Sequence, residues 1–221
     1  PCASRYPPCS LSSLPVHFEK LPNGLGVLLL ESHAAPVAEI EIWASVGSAD
    51  ERPGEEGLAH FHEHMLFKGT ERRGVGEITA AVEGVGGYIN AYTSFDVTCY
   101  HATLPSSEAS VGLEVLADSV QHSRFDPEEI DREIEVVLEE IRSAEDDPHH
   151  VLSDALFRTA YQVHPYRRPI LGEAESVATL DREKLMSFYR RWYTPERLVV
   201  VAVGDFEIPR MLREISALFA E

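Results

Sequence analysis

One segment of this 221-residue chain carries most of the information about its structure: Gly57-Leu58-Ala59-His60-Phe61-His62-Glu63-His64-Met65-Leu66-Phe67-Lys68-Gly69-Thr70. Residues 55–67 contain no proline, space their apolar side chains at three and four positions and stop before a glycine, which predicts a buried helix. His60 and His64 are four residues apart, so a helix places both imidazoles on one face, where they can bind a single metal ion. His62 lies about 200° round the helix from His60, so we expect it to be a packing or surface residue.

Glu63 borders the same helix face and precedes the second histidine by one residue. Neutral imidazoles suit zinc, and a carboxylate beside the metal can take a proton from water whose pKa the metal lowers to about 7. The motif therefore predicts a catalytic zinc (Zn²⁺) site with His60 and His64 as ligands and Glu63 as the base. The spacing alone leaves open an amphipathic helix with surface histidines. A metal module that uses His60 and His62 would require a strand, which the helical spacing opposes.

A catalytic zinc usually takes three protein ligands, so a third donor is needed. The acidic segment 127–145 follows Asp126, a good N-cap, and begins with a proline, which predicts a long helix. Glu133 and Glu140 are seven residues apart and share a stripe at the border of its apolar face. A carboxylate is costly there unless it meets a cation. Periodicity alone does not establish that Glu140 reaches the zinc ion.

The remaining pattern predicts an α+β fold, with a largely antiparallel sheet packed with helices rather than a doubly wound sheet. The predicted strands are 16–20, 25–31, 40–46, 88–90, 96–104 and a central strand at 198–203. Further helices are predicted at 76–85, 106–121, 151–161, 181–192 and 209–219. Residues 1–14 are rich in Pro, Ser and Cys and predict an irregular tail, so we expect the zinc-binding domain to span residues 15–221.

Composition narrows the class of protein further. The formal charge is -18, from 37 acidic and 19 basic residues, which argues against a nucleic-acid partner and suits peptides with basic residues. Three cysteines are too few for a disulfide framework in a chain this long. No apolar run approaches the roughly 18 residues of a membrane span, so we expect a soluble protein. The bacterial cytoplasm and the periplasm both remain possible compartments.

The segment quoted above resembles, almost residue for residue, the signature of the pitrilysin or insulinase-like zinc peptidases, which include the mitochondrial processing peptidase. His62 replaces the commoner Leu of that signature. The resemblance covers nearly everything after residue 14 and continues through the segments 86–94, 96–100, 164–166, 193–195 and 203–206. It implies the fold of that family's N-terminal zinc-binding domain. It also implies that Glu140 is the third zinc ligand and that Glu133 is an additional carboxylate that supports the proton transfers.

The resemblance further implies a metalloendopeptidase that cleaves peptides or unfolded polypeptides, with Glu63 passing a proton from the attacking water to the leaving amine. In similar enzymes the substrate lies as an added strand on a sheet edge, which would place it at Asn90 and Ala91; a buried turn is the alternative for Asn90.

Family members have a second homologous half that supplies an Arg and Tyr pair for substrate binding, and this chain would need it from the same polypeptide or from a partner subunit. The alternative is a structural or assembly subunit that binds zinc without catalysis.

Overall fold

A computed structural model describes residues 15–220. Its sheet has six strands: β1 (His17–Lys20), β2 (Gly26–Glu31), β3 (Val37–Ala44), β4 (Tyr88–Thr93), β5 (Thr98–Pro105) and β6 (Leu198–Gly204). Eight α-helices accompany the strands: α1 (Leu58–Met65), α2 (Glu77–Glu83), α3 (Ala109–His122), α4 (Pro127–Asp146), α5 (Pro148–Ala160), α6 (Ala174–Val177), α7 (Arg182–Trp192) and α8 (Ile208–Leu218).

The strands lie in the order β1-β2-β6-β3-β5-β4. The pair β2 and β6 is parallel, and the other neighbouring pairs among the described strands are antiparallel. The predicted α+β class with a largely antiparallel sheet is therefore confirmed. β6 lies inside the sheet, as expected for a continuous run of β-branched residues. β4, by contrast, is an edge strand, and α1, which carries the two histidines, lies beside it.

The helices cover one face of the sheet. In β3 the side chains of Ile40 and Ile42 are fully buried on that face, whereas Glu41 and Trp43 alternate with them and remain half-buried on the other face. α3 packs on β3 and β5, and α1 packs on β4 and β5. The helix that carries the histidines is thus held between the edge of the sheet and the outer helices.

The observed helices differ from the predicted ones mainly at their ends. α1 begins at Leu58 rather than at residue 55, because Gly57 has a φ of 91° and lies outside the helix. α5 begins at Pro148, three residues earlier than predicted, because Asp147 caps it by accepting a hydrogen bond from the His149 N–H. The short helix α6 had no sequence prediction. The predicted tail, residues 1–14, lies outside the described residues.

No helix within residues 15–220 has both the length and the apolar character required for a membrane crossing.

Candidate metal centre

Three side chains of types that can bind a metal ion meet where α1 packs on α4. The Nε2 atoms of His60 and His64 are 3.2 Å apart, and Glu140 Oε2 lies 3.7 Å and 3.6 Å from them. His60 is buried, whereas the Glu140 side chain is 43% exposed. The ligand atoms all lie within 4.8 Å of one another, and no other cluster in residues 15–220 meets the same criterion for a metal site. The structure therefore brings together the three residues that the sequence predicts as ligands.

The two histidines have different electrostatic surroundings. Burial, together with the neighbouring His64, lowers the pKa of His60 to about 3, so its imidazole is neutral. Burial also opposes protonation of His64, but its hydrogen bond to Glu133 and the nearby carboxylates raise its pKa overall. A neutral imidazole is the form that ligates a metal ion. His60 is therefore ready to bind a cation without first losing a proton.

Glu133 contacts Nδ1, the other ring nitrogen of His64. Its Oε1 is 2.8 Å from His64 Nδ1, and its Oε2 accepts a bond of 2.6 Å from Lys68 Nζ. Burial raises the pKa of Glu133, but the hydrogen bonds and charges of these two partners outweigh burial and lower it. In this position Glu133 fixes the tautomer and the plane of the His64 ring. The contact of Lys68 with Glu133 was not predicted from the sequence.

Glu63 lies between α1 and the edge strand. Its Oε2 accepts a hydrogen bond of 2.6 Å from Thr93 Oγ1, on the last residue of β4. Burial raises the pKa of Glu63, an effect that the Thr93 bond and the charge of His64 oppose. A raised pKa favours proton uptake, which suits a general base. Thr93 could have been found from the sequence only by knowing that β4 lies beside α1.

His62 is fully buried and contributes to packing, away from the other histidines. Its ring stacks on Tyr193, with centroids 4.7 Å apart and planes 15° apart, and also contacts Phe125 at 4.7 Å. Neither ring nitrogen has a hydrogen-bond partner within residues 15–220. Burial lowers the pKa of His62 to about 3. The alternative of a helix with surface histidines is therefore wrong.

Asn90 and Ala91 lie on the edge strand, but their side chains point to opposite faces. Ala91 shares the helix-covered face with Thr93, whereas Asn90 is exposed on the other face. Asn90 Oδ1 accepts a bond of 2.9 Å from the Ala91 N–H, and its Nδ2 donates to the Tyr88 hydroxyl at 2.7 Å. A buried turn asparagine, the alternative considered for Asn90, is therefore wrong.

The backbone of β4 has N–H and C=O groups at the sheet edge that do not bond β5. Ser94 N bonds Val97 O at 2.8 Å, which closes the turn between β4 and β5. Because backbone bonds alternate along an antiparallel pair, the N–H and C=O groups of Ile89, Ala91 and Thr93 point away from β5. These groups face the open edge beside Glu63.

Comparison with known protein families agrees with this geometry. The family described as Insulinase (Peptidase family M16) matches residues 26–174, and the one described as Peptidase M16 inactive domain matches residues 179–221. The probable mitochondrial-processing peptidase subunit beta of Arabidopsis thaliana is 37% identical over 211 residues, which are 96% of this chain and 40% of that protein. A protein named as an uncharacterized zinc protease of Mycobacterium tuberculosis is 40% identical over 187 residues, 85% of this chain and 43% of that protein. The chain thus spans less than half the length of these relatives.

Solved structures show the same similarity. A protease from Helicobacter pylori matches with a TM-score of 0.90 and 29% identity, over 93% of this chain and 50% of that one. The periplasmic protease PqqL from Escherichia coli matches with a TM-score of 0.86 and 28% identity, over 93% of this chain and 24% of that one. On the extent of the family match, this chain belongs to the insulinase family of peptidases, peptidase family M16.

Proposed function

We propose that this chain is the zinc-binding portion of a metalloendopeptidase, with His60, His64 and Glu140 as the zinc ligands and Glu63 as the general base. The observation that carries the proposal is the meeting of these three donors within 4.8 Å, beside a carboxylate that Thr93 holds at the sheet edge. The donor set suits zinc, because two imidazoles and one carboxylate are the ligands of many catalytic zinc sites and leave a fourth position for water.

Zinc bound by these residues supplies a Lewis acid and lowers the pKa of water to about 7. Glu63 accepts a proton from the attacking water and delivers it to the amine of the leaving product. General base catalysis of this kind typically contributes about 10² to 10⁴ in rate. Glu133 orients His64 from its Nδ1 side, as their distance of 2.8 Å indicates, and thereby supports the proton transfers indirectly.

The substrate in this proposal is an extended peptide that adds to the edge of β4. The outward N–H and C=O groups of Ile89, Ala91 and Thr93 support it, because an added strand needs such groups in alternation. Asn90 Oδ1 occupies the Ala91 N–H and must turn away when the peptide binds. Main-chain recognition of this kind gives affinity with little selectivity for side chains.

A second homologous half completes the active site in this proposal, either in the same polypeptide or in a partner subunit. The relatives that match along most of this chain are about twice as long or longer, which supports the need for further structure. No contact in residues 15–220 specifically favours the alternative of a zinc-binding scaffold without catalysis, whereas the donors and Glu63 fit catalysis.

The test separates the base from the ligands. In the complete protein, Glu63→Gln should keep one equivalent of zinc and lose cleavage of a long unstructured peptide by at least about 10². Glu140→Gln should lose the zinc. Glu139→Gln is the matched control, because that carboxylate bonds the exposed Arg142 on the same helix. Full turnover by Glu63→Gln would remove the base assignment, and a full equivalent of zinc in Glu140→Gln would remove Glu140 from the ligands.

A further inference from the structure

The start of the metal-binding helix has an unusual cap. The N-cap of α1 is Gly57, which has no side chain to accept hydrogen bonds from the first turn. Glu51 provides the acceptor from the preceding loop: its Oε2 accepts from Gly57 N at 3.1 Å, and its Oε1 accepts from Ala59 N at 2.8 Å. One carboxylate thus holds two backbone donors of the helix start.

This carboxylate is buried at a considerable electrostatic cost. Glu51 is 5% exposed, and burial raises its pKa to about 8 despite the two N–H groups and the charge of Arg168. Arg168 also fixes the loop itself, because its Nη2 donates to the carbonyl oxygens of Ser48 and Glu51 at 3.3 Å and 2.9 Å. Burial of a carboxyl group is costly, and the two backbone N–H groups that Glu51 accepts from offset part of this cost.

The helix start is also confined from the opposite side. Gly57 and Gly172 approach so closely that a Cβ on Gly172 would lie 2.4 Å from Gly57 Cα. A Cβ on Gly57 would lie 2.7 Å from the carbonyl oxygen of Leu171. Both glycines have positive φ values, 91° and 85°. The first turn of α1 is therefore clamped between the Glu51 carboxylate and the loop that contains Gly172.

His60 depends on this clamp more than His64 does. His64 Nδ1 is held by Glu133, but His60 Nδ1 is buried and has no hydrogen-bond partner within residues 15–220. In residues 15–220 no side chain outside α1 forms a hydrogen bond with the His60 ring, and Glu140 Oε2 approaches its Nε2 only to 3.7 Å, so the position of the ring follows the backbone of the first turn. His60 directly follows Ala59, whose N–H Glu51 binds.

We propose that Glu51 is a positioning residue of the metal centre: by capping α1 it holds His60 at the distance from His64 and Glu140 that one metal ion requires. This inference rests on the proposed function, because it assumes that these three residues bind zinc. Positioning contacts outside the ligand set commonly change metal affinity by about 10- to 100-fold, so the effect is measurable without an assay of cleavage.

The test compares Glu51→Gln with Asp118→Asn in the full chain. Asp118 is also buried and accepts a bond of 2.7 Å from Thr70 Oγ1, so its amide variant controls for loss of a buried carboxylate away from the ligands. Zinc affinity is measured by competition with a chelating indicator, and the absorption spectrum of bound Co²⁺ reports the ligand geometry. We expect Glu51→Gln to bind zinc at least about tenfold more weakly and to change the Co²⁺ spectrum, while Asp118→Asn matches the wild type.

Wild-type affinity and an unchanged spectrum in Glu51→Gln would overturn the positioning role, even if the variant unfolds more easily. Absence of zinc binding by the wild type would overturn the proposed function together with this inference. If Glu51→Gln does not fold, Arg168→Gln replaces it, because that change loosens the Glu51 loop and leaves the carboxylate in place. Weaker zinc binding by Arg168→Gln then supports the role, and unchanged binding overturns it.

Discussion

His64 Nδ1 lies 2.8 Å from Glu133 Oε1, so a carboxylate of α4 holds the second histidine of the motif through the ring nitrogen that faces away from His60. Glu140, on the same helix, lies near the other ring nitrogen: its Oε2 is 3.6 Å from His64 Nε2. Two carboxylates seven residues apart on one helix thus contact the two nitrogens of one imidazole. In the proposed zinc site their functions differ: Glu140 is a ligand, and Glu133 orients one.

Glu133→Gln should weaken zinc binding without abolishing it. The amide can still accept a bond from His64 but cannot also pair with Lys68, so the ring loses part of its support. We expect an affinity about 10- to 100-fold lower, measured by chelator competition. Glu135→Gln, at an exposed position of α4, is the control and should behave as the wild type. Complete loss of zinc from Glu133→Gln would mean that Glu133 is itself a ligand.

Thr93→Val should shift the pH dependence of cleavage. The Thr93 hydroxyl lowers the pKa of Glu63, so its removal raises that pKa further. The base acts only when it is ionised, and the acidic limb of the kcat/KM profile of the complete protein should therefore move to higher pH. Thr93→Ser, which keeps the hydroxyl, should restore the wild-type limb. An unshifted profile in Thr93→Val would show that the Thr93 hydroxyl does not set the pKa of the base.

Ala91→Pro should impair substrate binding more than folding. The Ala91 N–H points to the open edge, so proline removes a donor that β5 does not use. Loss of one backbone hydrogen bond corresponds to about 1 kcal/mol, or about a fivefold rise in KM for an extended peptide. Asn90→Pro is the contrast, because the backbone of Asn90 bonds β5 and its loss should lower the midpoint of urea unfolding. An unchanged KM in Ala91→Pro would place the peptide elsewhere.

His62→Leu should stabilise the protein, increasingly so as the pH falls. The buried ring has a lowered pKa of about 3 against an ordinary value of 6.5, so between these values the unfolded chain binds the extra proton. Wild-type stability is therefore lost as the pH falls through that range, by about 1.4 kcal/mol per unit. Leucine removes this dependence and also the two ring nitrogens that lack partners.

Urea unfolding of both proteins at pH 5 and pH 7 measures this difference. The gap in free energy of unfolding should be larger at pH 5. His62→Ala is the control for side-chain volume: it also removes the ionisable group but leaves a cavity, so it should destabilise at pH 7. Equal pH slopes for wild type and His62→Leu would contradict the buried, neutral state of His62.

Local signals in the sequence predicted the elements well. Asp126 caps α4 by accepting from the Glu128 N–H, and the following proline starts the helix at the predicted position. The continuous apolar run of β6 correctly predicted an interior strand. The start of α1 was wrong by three residues, because its cap comes from Glu51, outside the segment that a local pattern covers.

The candidate ligands could be predicted, but the contacts that hold them and the base in place could not. The spacing of His60 and His64 is a property of one helix, whereas the approach of Glu140 depends on how α1 packs against α4. That approach was expected only from the family resemblance. The bond from Lys68 to Glu133 and the bond from Thr93 to Glu63 join different elements and leave no periodic trace in the sequence. The side of the sheet on which Asn90 lies likewise follows from strand register.

The packing of α1 against α4 also has a consequence for folding. Glu140 follows His64 by 76 residues (140 − 64), and the intervening chain includes the edge hairpin and α3. A metal ion shared by both helices would close this long loop and offset part of its chain entropy. It would act as a removable cross-link between α1 and α4, so that loss of the metal would loosen the packing of these two helices.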